Sequence, residues 1–119
     1  PDFWNGWILL GWGQRRLGRF KEAKSSFEKA LSLSEPKPDI LNELAIAHME
    51  LGELKESYGR LAEAVRLEPE NVKVLSNLGI VSIKLGRIED AKGFFRTVLD
   101  YDPEDKIAAH FLEELSAKD

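Results

Sequence analysis

An all-α chain, built from three stacked copies of one helix-turn-helix unit and closed by a further helix, is the fold class this sequence predicts. Three observations predict it. First, Leu17-Gly18-Arg19-Phe20-Lys21-Glu22-Ala23 returns as Leu51–Ser57 and again as Leu85–Ala91, so Gly18, Gly52 and Gly86 stand 34 residues apart. Pro1, Pro69 and Pro103 keep the same period, with Glu35 at the remaining place and Pro36 one step late. Second, apolar residues within each unit recur at spacings of three and four, the period of a helix with one buried face. Third, no stretch reads as a strand. A fixed period of this size means stacked copies of one supersecondary unit, none of which buries its apolar face alone.

The elements follow in order. Trp7, Leu10, Gly11 and Gln14 mark a first helix face, and Gly18 ends that helix because glycine tolerates the left-handed conformation at a helix C-terminus. Phe20, Ala23, Phe27, Ala30 and Leu31 mark the second helix, stopped by Glu35-Pro36-Lys37-Pro38. The second unit repeats this with Leu41, Leu44, Ala45 and His48, then Leu54, Ser57, Leu61, Ala64 and Leu67. The third carries Leu75, Leu78, Gly79 and Ser82, then Ile88, Ala91, Phe95, Val98 and Tyr101. A last amphipathic stretch runs from about 105 to 116, with Ala109, Leu112 and Leu115 in the corresponding core columns. The expected organisation is one array over 1–119, with units at about 4–37, 38–71 and 72–105 and the closing helix at about 105–116.

Aligned columns predict the packing. One holds Gly11, Ala45 and Gly79, and others hold Ala23, Ser57, Ala91 and Ala30, Ala64, Val98. Small residues let the two helices of a unit approach closely, and the bulky column Phe27, Leu61, Phe95 fills the space beside them. The last helix has Glu113 at the small-residue place, so that side is expected to face water, as on a cap.

Composition sets bounds. The chain has 119 residues, 43% of them hydrophobic, enough for a core. Its net charge of −4 argues against a nucleic-acid surface. It has no cysteine, which excludes disulfides and thiolate metal sites. No apolar run approaches a membrane span, and Trp7 to Gly13 is short and lacks the basic lead of a signal peptide. A soluble chain is the expectation, with the compartment left open and the cytoplasm favoured. Pro1 rather than Met comes first, and we expect a fragment or processed chain that starts at the seam of a longer array.

The repeat resembles the tetratricopeptide repeat family, whose pattern runs W-x2-L-G-x2-Y, then A-x3-F, then P. Trp7 to Gly11 resembles the opening, Ala23-x3-Phe27 and Ala91-x3-Phe95 the middle, and Leu78-Gly79, Pro69 and Pro103 the rest. Gln14, His48 and Ser82 depart from the family's tyrosine, Ser57 from its alanine and Glu35 from its proline. The resemblance implies a right-handed superhelical solenoid whose first helices line a concave face where partner peptides lie. Carried onto this sequence, that lining is Asn5, Ile8, Leu9, Trp12, Arg15 and Arg16 in the first unit. The second supplies Asp39, Asn42, Glu43, Ile46, Met49 and Glu50, and the third Lys73, Ser76, Asn77, Ile80, Ile83 and Lys84. Some family members grip a C-terminal carboxylate with lysine, asparagine and arginine. The corresponding places here hold Ile8, Trp12, Glu43, Lys73 and Asn77, of which Lys73 alone fits, and Glu43 would repel a carboxylate.

No constellation of side chains in the sequence carries catalytic chemistry. His48 falls in the column the family gives to tyrosine and reads as a packed core histidine. His110 has Glu113 and Glu114 near it in sequence but no third converging ligand. Glu89-Asp90 and Glu113-Glu114 are neighbours on helix surface, and Ser25-Ser26 reads as exposed helix. No catalytic residue, cofactor or metal is expected. What remains is a module that binds a partner segment, extended or helical, on the concave face. Its centre is expected at Trp12, Met49, Ile80 and Ile83, with Arg15, Arg16, Lys73 and Lys84 orienting a ligand of apolar anchors and acidic flanks. Methionine adapts to varied partners and tryptophan is favoured at hot spots. Two other readings stand beside it: a scaffold that self-assembles through Phe3, Trp4 and Trp7, and the substrate-docking arm of a larger enzyme.

Overall fold

A computed structural model describes residues 3–117. Seven helices follow one another: α1 (Trp4–Arg16), α2 (Phe20–Ser32), α3 (Pro38–Glu50), α4 (Leu54–Leu67), α5 (Val72–Lys84), α6 (Ile88–Tyr101) and α7 (Lys106–Ala117), and there is no strand among the described residues. Each helix packs on the next, α3 also touches α5, and the array measures 48 × 25 × 21 Å. Pro1, on which the expected seam rests, lies outside the described residues.

The turns inside the units are of one kind. Gly18, Gly52 and Gly86 take φ of 78°, 76° and 78°, which a side chain would strain. The residue after each glycine donates its N–H to a carbonyl five residues back: Arg19 to Gln14, Glu53 to His48 and Arg87 to Ser82, at 2.8–2.9 Å. That bond closes the first helix and aims the second. Between units the stops are chemical. Pro38 takes the first turn of α3, where its missing N–H costs nothing. Asn71 caps α5 by accepting from Val74 N–H at 3.1 Å, and Asp105 accepts from Ala108 N–H at 2.8 Å where α7 begins.

The small-residue columns do what their pattern predicts. A Cβ built on Gly11 would lie 2.5 Å from the Phe27 ring, and one on Gly79 the same distance from the Phe95 ring. Ala45 is tolerated in the second unit, where the bulky column holds Leu61 instead of phenylalanine. Ser57, fully buried at the family's alanine place, is satisfied by donating to the Ala45 carbonyl at 2.8 Å. Gln14 accepts from Ser26 at 2.6 Å, and His48, 5% exposed, bonds Glu53 through Nδ1 at 2.9 Å.

Some expected core positions lie elsewhere. Ala109 is exposed, and α7 buries Ala108 and Leu115, with Phe111 and Leu112 half-buried beside them. The column of Ala109 is the one that Leu41 and Leu75 fill, and a unit's own second helix covers that column; among the described residues α7 has α6 on one side and no second helix after it. Glu113 is exposed for the same reason, as the cap reading expects. Leu10 is 48% exposed, because its column faces a preceding helix and no helix among the described residues precedes α1. Leu67 and Tyr101, the last residues of their helices, are half-exposed. No helix among the described residues is long and apolar enough to cross a membrane.

Candidate functional site

The first helix of each unit presents one face inward, because its opposite side is taken up by the small-residue column and the helix packed on it. Two hollows open on that face. The first, of about 350 Å³, is lined by Trp4, Ile8 and Trp12 of α1, by Lys37, Asp39, Ile40, Asn42 and Glu43, and by Lys73 of α5. The second, of about 380 Å³, is lined by Asn42, Glu43 and Ile46 of α3, by Val72, Lys73, Ser76, Asn77 and Ile80, and by Asp105 and Ile107 at the start of α7. They share Asn42, Glu43 and Lys73, so they form one trough running from Trp4 to Ile107.

The shared waist is polar and internally bonded. Arg15 and Glu43 join α1 to α3 through a 2.6 Å charge-assisted hydrogen bond, with side chains 29% and 17% exposed. Asn77 donates to the Asn42 side-chain carbonyl at 2.9 Å, which ties α5 to α3. Glu43 is therefore paired rather than a bare anion, so the expected repulsion of an acidic ligand there is largely cancelled. Arg15 is committed to that pair and is not a free orienting cation. The walls on either side are apolar: Trp12 is 40% exposed over the first hollow and Ile107 60% exposed at the edge of the second. Lys37 lies over the Trp4 ring at 5.2 Å from its centroid, a cation–π contact that holds the ammonium at the rim.

Of the sequence-predicted lining residues, the structure brings Ile8, Trp12, Asn42, Glu43, Ile46, Lys73, Asn77 and Ile80 to the trough, along with Asp39 and Ser76. Ile8 is only 7% exposed and Asn42 9%, so these two form floor rather than open contact surface. Met49 and Ile83 are half-buried and pack on the cores beneath, Met49 with the Leu41 cluster and Ile83 with the Leu75 cluster. Neither is among the residues lining the hollows, nor are Asn5, Arg16 and Lys84, which are exposed. Sequence reasoning missed Lys37, Asp105 and Ile107 as wall residues. A signal was present for Ile107: it stands 34 residues after Lys73, in the column of Asn5 and Asp39. His110 lies outside the trough, 3.4 Å from Glu114.

Paired helices, a glycine turn at every unit and an open inner trough define a helical repeat protein. Residues 55–115, half of the chain, match a family model described as Tetratricopeptide repeat, and residues 4–36 match a second model so described. The chain belongs to the tetratricopeptide repeat family. No curated protein sequence matches it. Its fold is similar to the first TPR domain of Spaghetti (RPAP3) bound to an HSP90 peptide, with TM-score 0.92 and 22% identity over 97% of this chain and 91% of that one. It is similar to PilF of Pseudomonas aeruginosa, with TM-score 0.92 and 27% identity over 99% of this chain and 54% of that one. It is also similar to the Yersinia enterocolitica type III secretion chaperone SycD in complex with a peptide of the translocator YopD, with TM-score 0.88 and 11% identity over 96% and 92%.

Proposed function

We propose that the chain is a non-catalytic protein-interaction module that holds an extended segment of a partner protein in the trough, within one array of units at about 4–37, 38–71 and 72–105. The observation that carries this reading is the continuity of the two hollows through Asn42, Glu43 and Lys73. Apolar side chains of the ligand sit against Trp12 in the first hollow and against Ile46, Ile80 and Ile107 in the second. Lys37 and Lys73 stand at the first hollow's rim and favour acidic residues beside the first anchor; with Glu43 neutralised by Arg15, Asp39 is the remaining acidic group there. Such charges set encounter rate and register more than affinity. Two proteins similar in fold were solved with peptides bound, which supports the reading.

A random peptide display library selected on the immobilised chain, followed by titration of the selected peptides, tests it. Selected peptides should combine apolar residues with neighbouring acidic ones, and Trp12→Ala or Lys73→Glu should weaken them about tenfold or more. Arg66→Ala, on an exposed position of α4, should leave binding unchanged. Peptides that bind the trough variants normally and lose binding in Arg66→Ala would place the site on the outer surface.

A second reading, self-association at the N-terminal end, is favoured by the bare apolar side of α1, where Phe3 is 71% exposed.

A further inference from the structure

Phe3, Gly6, Leu10, Gly13 and Leu17 recur along α1 at alternating spacings of three and four, a seven-residue period with bulky residues at one place and glycine at the other. The seam is bare: Phe3, Leu10 and Leu17 are 71%, 48% and 70% exposed, and both glycines are exposed. In the later units the same register is buried. Ile40, Leu44 and Ala47 pack with Phe27 and Ala30 of α2, and Val74, Leu78 and Val81 pack with Leu61 and Ala64 of α4. It is the register on which this fold seats a helix.

The glycines have no explanation inside the chain. A Cβ on Gly6 or Gly13 would meet nothing within 4 Å, and glycine weakens a helix interior. What they create is a hole. Phe3, Gly6, Trp7 and Leu10, four residues at the spacing that bounds a hole on a helix surface, enclose an open hollow of about 380 Å³.

We propose that two copies of this chain pair through α1 about a twofold axis, with the helices antiparallel and Leu10 of each copy seated in the hollow over Gly6 of the other. This rests on the self-association reading above and gives it a register. With Leu10 opposite Gly6, the same offset sets Phe3 opposite Gly13, so bulk meets void twice on each helix. A parallel pairing would set Leu10 on Leu10 and glycine on glycine. Charge agrees with the antiparallel choice: α1 has no acidic residue in its first turn and has the exposed Arg16 in its last, so antiparallel helices keep the two Arg16 side chains apart. The exposed parts of Phe3, Leu9 and Leu10, which this register sets against the partner, come to on the order of 350 Å² per copy, so the pair would bury on the order of 700 Å² of apolar surface, the size of a weak, reversible interface.

Sedimentation equilibrium on the chain and on Gly6→Leu tests the pairing. The leucine fills the chain's own hollow without touching its fold, so its helix content and melting should hold while dimer affinity falls at least about tenfold. Because the chain has no cysteine, register is read by mixing single-cysteine copies under mild oxidation. Gly6→Cys should couple to Leu10→Cys and not to Leu17→Cys. A chain that stays monomeric up to about 1 mM overturns both the pairing and the self-association reading, and leaves the seam to a helix of another chain or segment. A dimer that survives Gly6→Leu, or that couples position 6 to position 17, keeps self-association and overturns this geometry.

Discussion

Replacing Gly79 by alanine should destabilise the chain, although alanine is the better helix former. The new Cβ would lie 2.5, 2.7 and 2.8 Å from three atoms of the Phe95 ring. That ring is fully buried and stacked on Phe111 with centroids 4.8 Å apart and planes 11° from parallel, so it has no free direction in which to yield. Overpacking of this kind costs about 1–3 kcal/mol, against a gain of about 1 kcal/mol from removing a helical glycine. Gly59→Ala isolates that gain, because a Cβ there meets nothing within 4 Å. The two alanine variants should therefore differ by about 1–3 kcal/mol, with Gly59→Ala the more stable. Phe95→Leu alone leaves a cavity and destabilises by about 1–2 kcal/mol. Combined with Gly79→Ala it recreates the Ala45 and Leu61 pairing of the second unit, so the double variant should be more stable than the sum of the single effects by about 1–3 kcal/mol. Urea denaturation followed by circular dichroism measures all four. If Gly79→Ala gains stability as Gly59→Ala does, and the two third-unit changes add to within about 0.5 kcal/mol, then the small column does not set the approach of the helices.

The remaining predictions concern the acid limb and the trough. His48, bonded to Glu53 at 2.9 Å, and Lys24, at 3.1 and 3.2 Å, hold the Glu53 carboxyl below its ordinary 4.5. A carboxyl depressed by folding contributes stability that is complete above its unfolded value and is lost as the pH falls through the folded one. Urea midpoints of the native chain should thus drop more steeply below pH 4.5 than those of Glu53→Gln, and parallel profiles would rule the contribution out. Truncating Trp12 to alanine should cost about 1–3 kcal/mol of peptide binding with a much smaller loss of stability, since its side chain is 40% exposed. Met49→Ala, by contrast, should lower stability and largely spare binding, because Met49 packs on the Leu41 cluster and lines neither hollow; equal melting of the two variants would contradict that placement. Ile107→Ala should weaken peptides long enough to fill the second hollow and spare those that fill the first alone, as read by titration of a length series.

Much of the fold was legible because the repeat prints it three times. The glycine turns, the proline stops and the small and bulky columns each recur, and each recurrence has a local cause that needs no knowledge of the neighbours: a left-handed turn, a missing N–H, a contact between Gly79 and Phe95. The columns of Ile40 and Val74, and of Ala47 and Val81, were not read as core, yet all four are buried. Their first-unit counterparts are Gly6 and Gly13, which hid an apolar column behind two residues that carry no hydrophobic signal. These columns pack one unit on the next, and the pattern inside a single unit does not require them.

The ends and the trough were harder for one shared reason. A residue's burial in a stacked array depends on which neighbour its column faces, and among the described residues the first and last helices each pack against a neighbour on one side alone. Leu10 is exposed while Leu44 and Leu78 in the same column are buried, and Ala109 is exposed where Leu41 and Leu75 are buried. The same dependence explains Ile107. Reading α7 as a cap gave its start no role, yet a closing helix still occupies the inner position that α1, α3 and α5 occupy in their units, so its first turn becomes the far wall of the second hollow. Arg15 and Glu43 show the complementary effect. They stand 28 residues apart, outside the 34-residue period, so no column links them. Only the packing of α1 on α3 converts two exposed charges of opposite expected roles into one neutral pair at the waist of the trough. A ligand therefore meets cations at Lys37 and Lys73 and, at Glu43, a closed ion pair in place of the carboxylate expected to repel an acidic group.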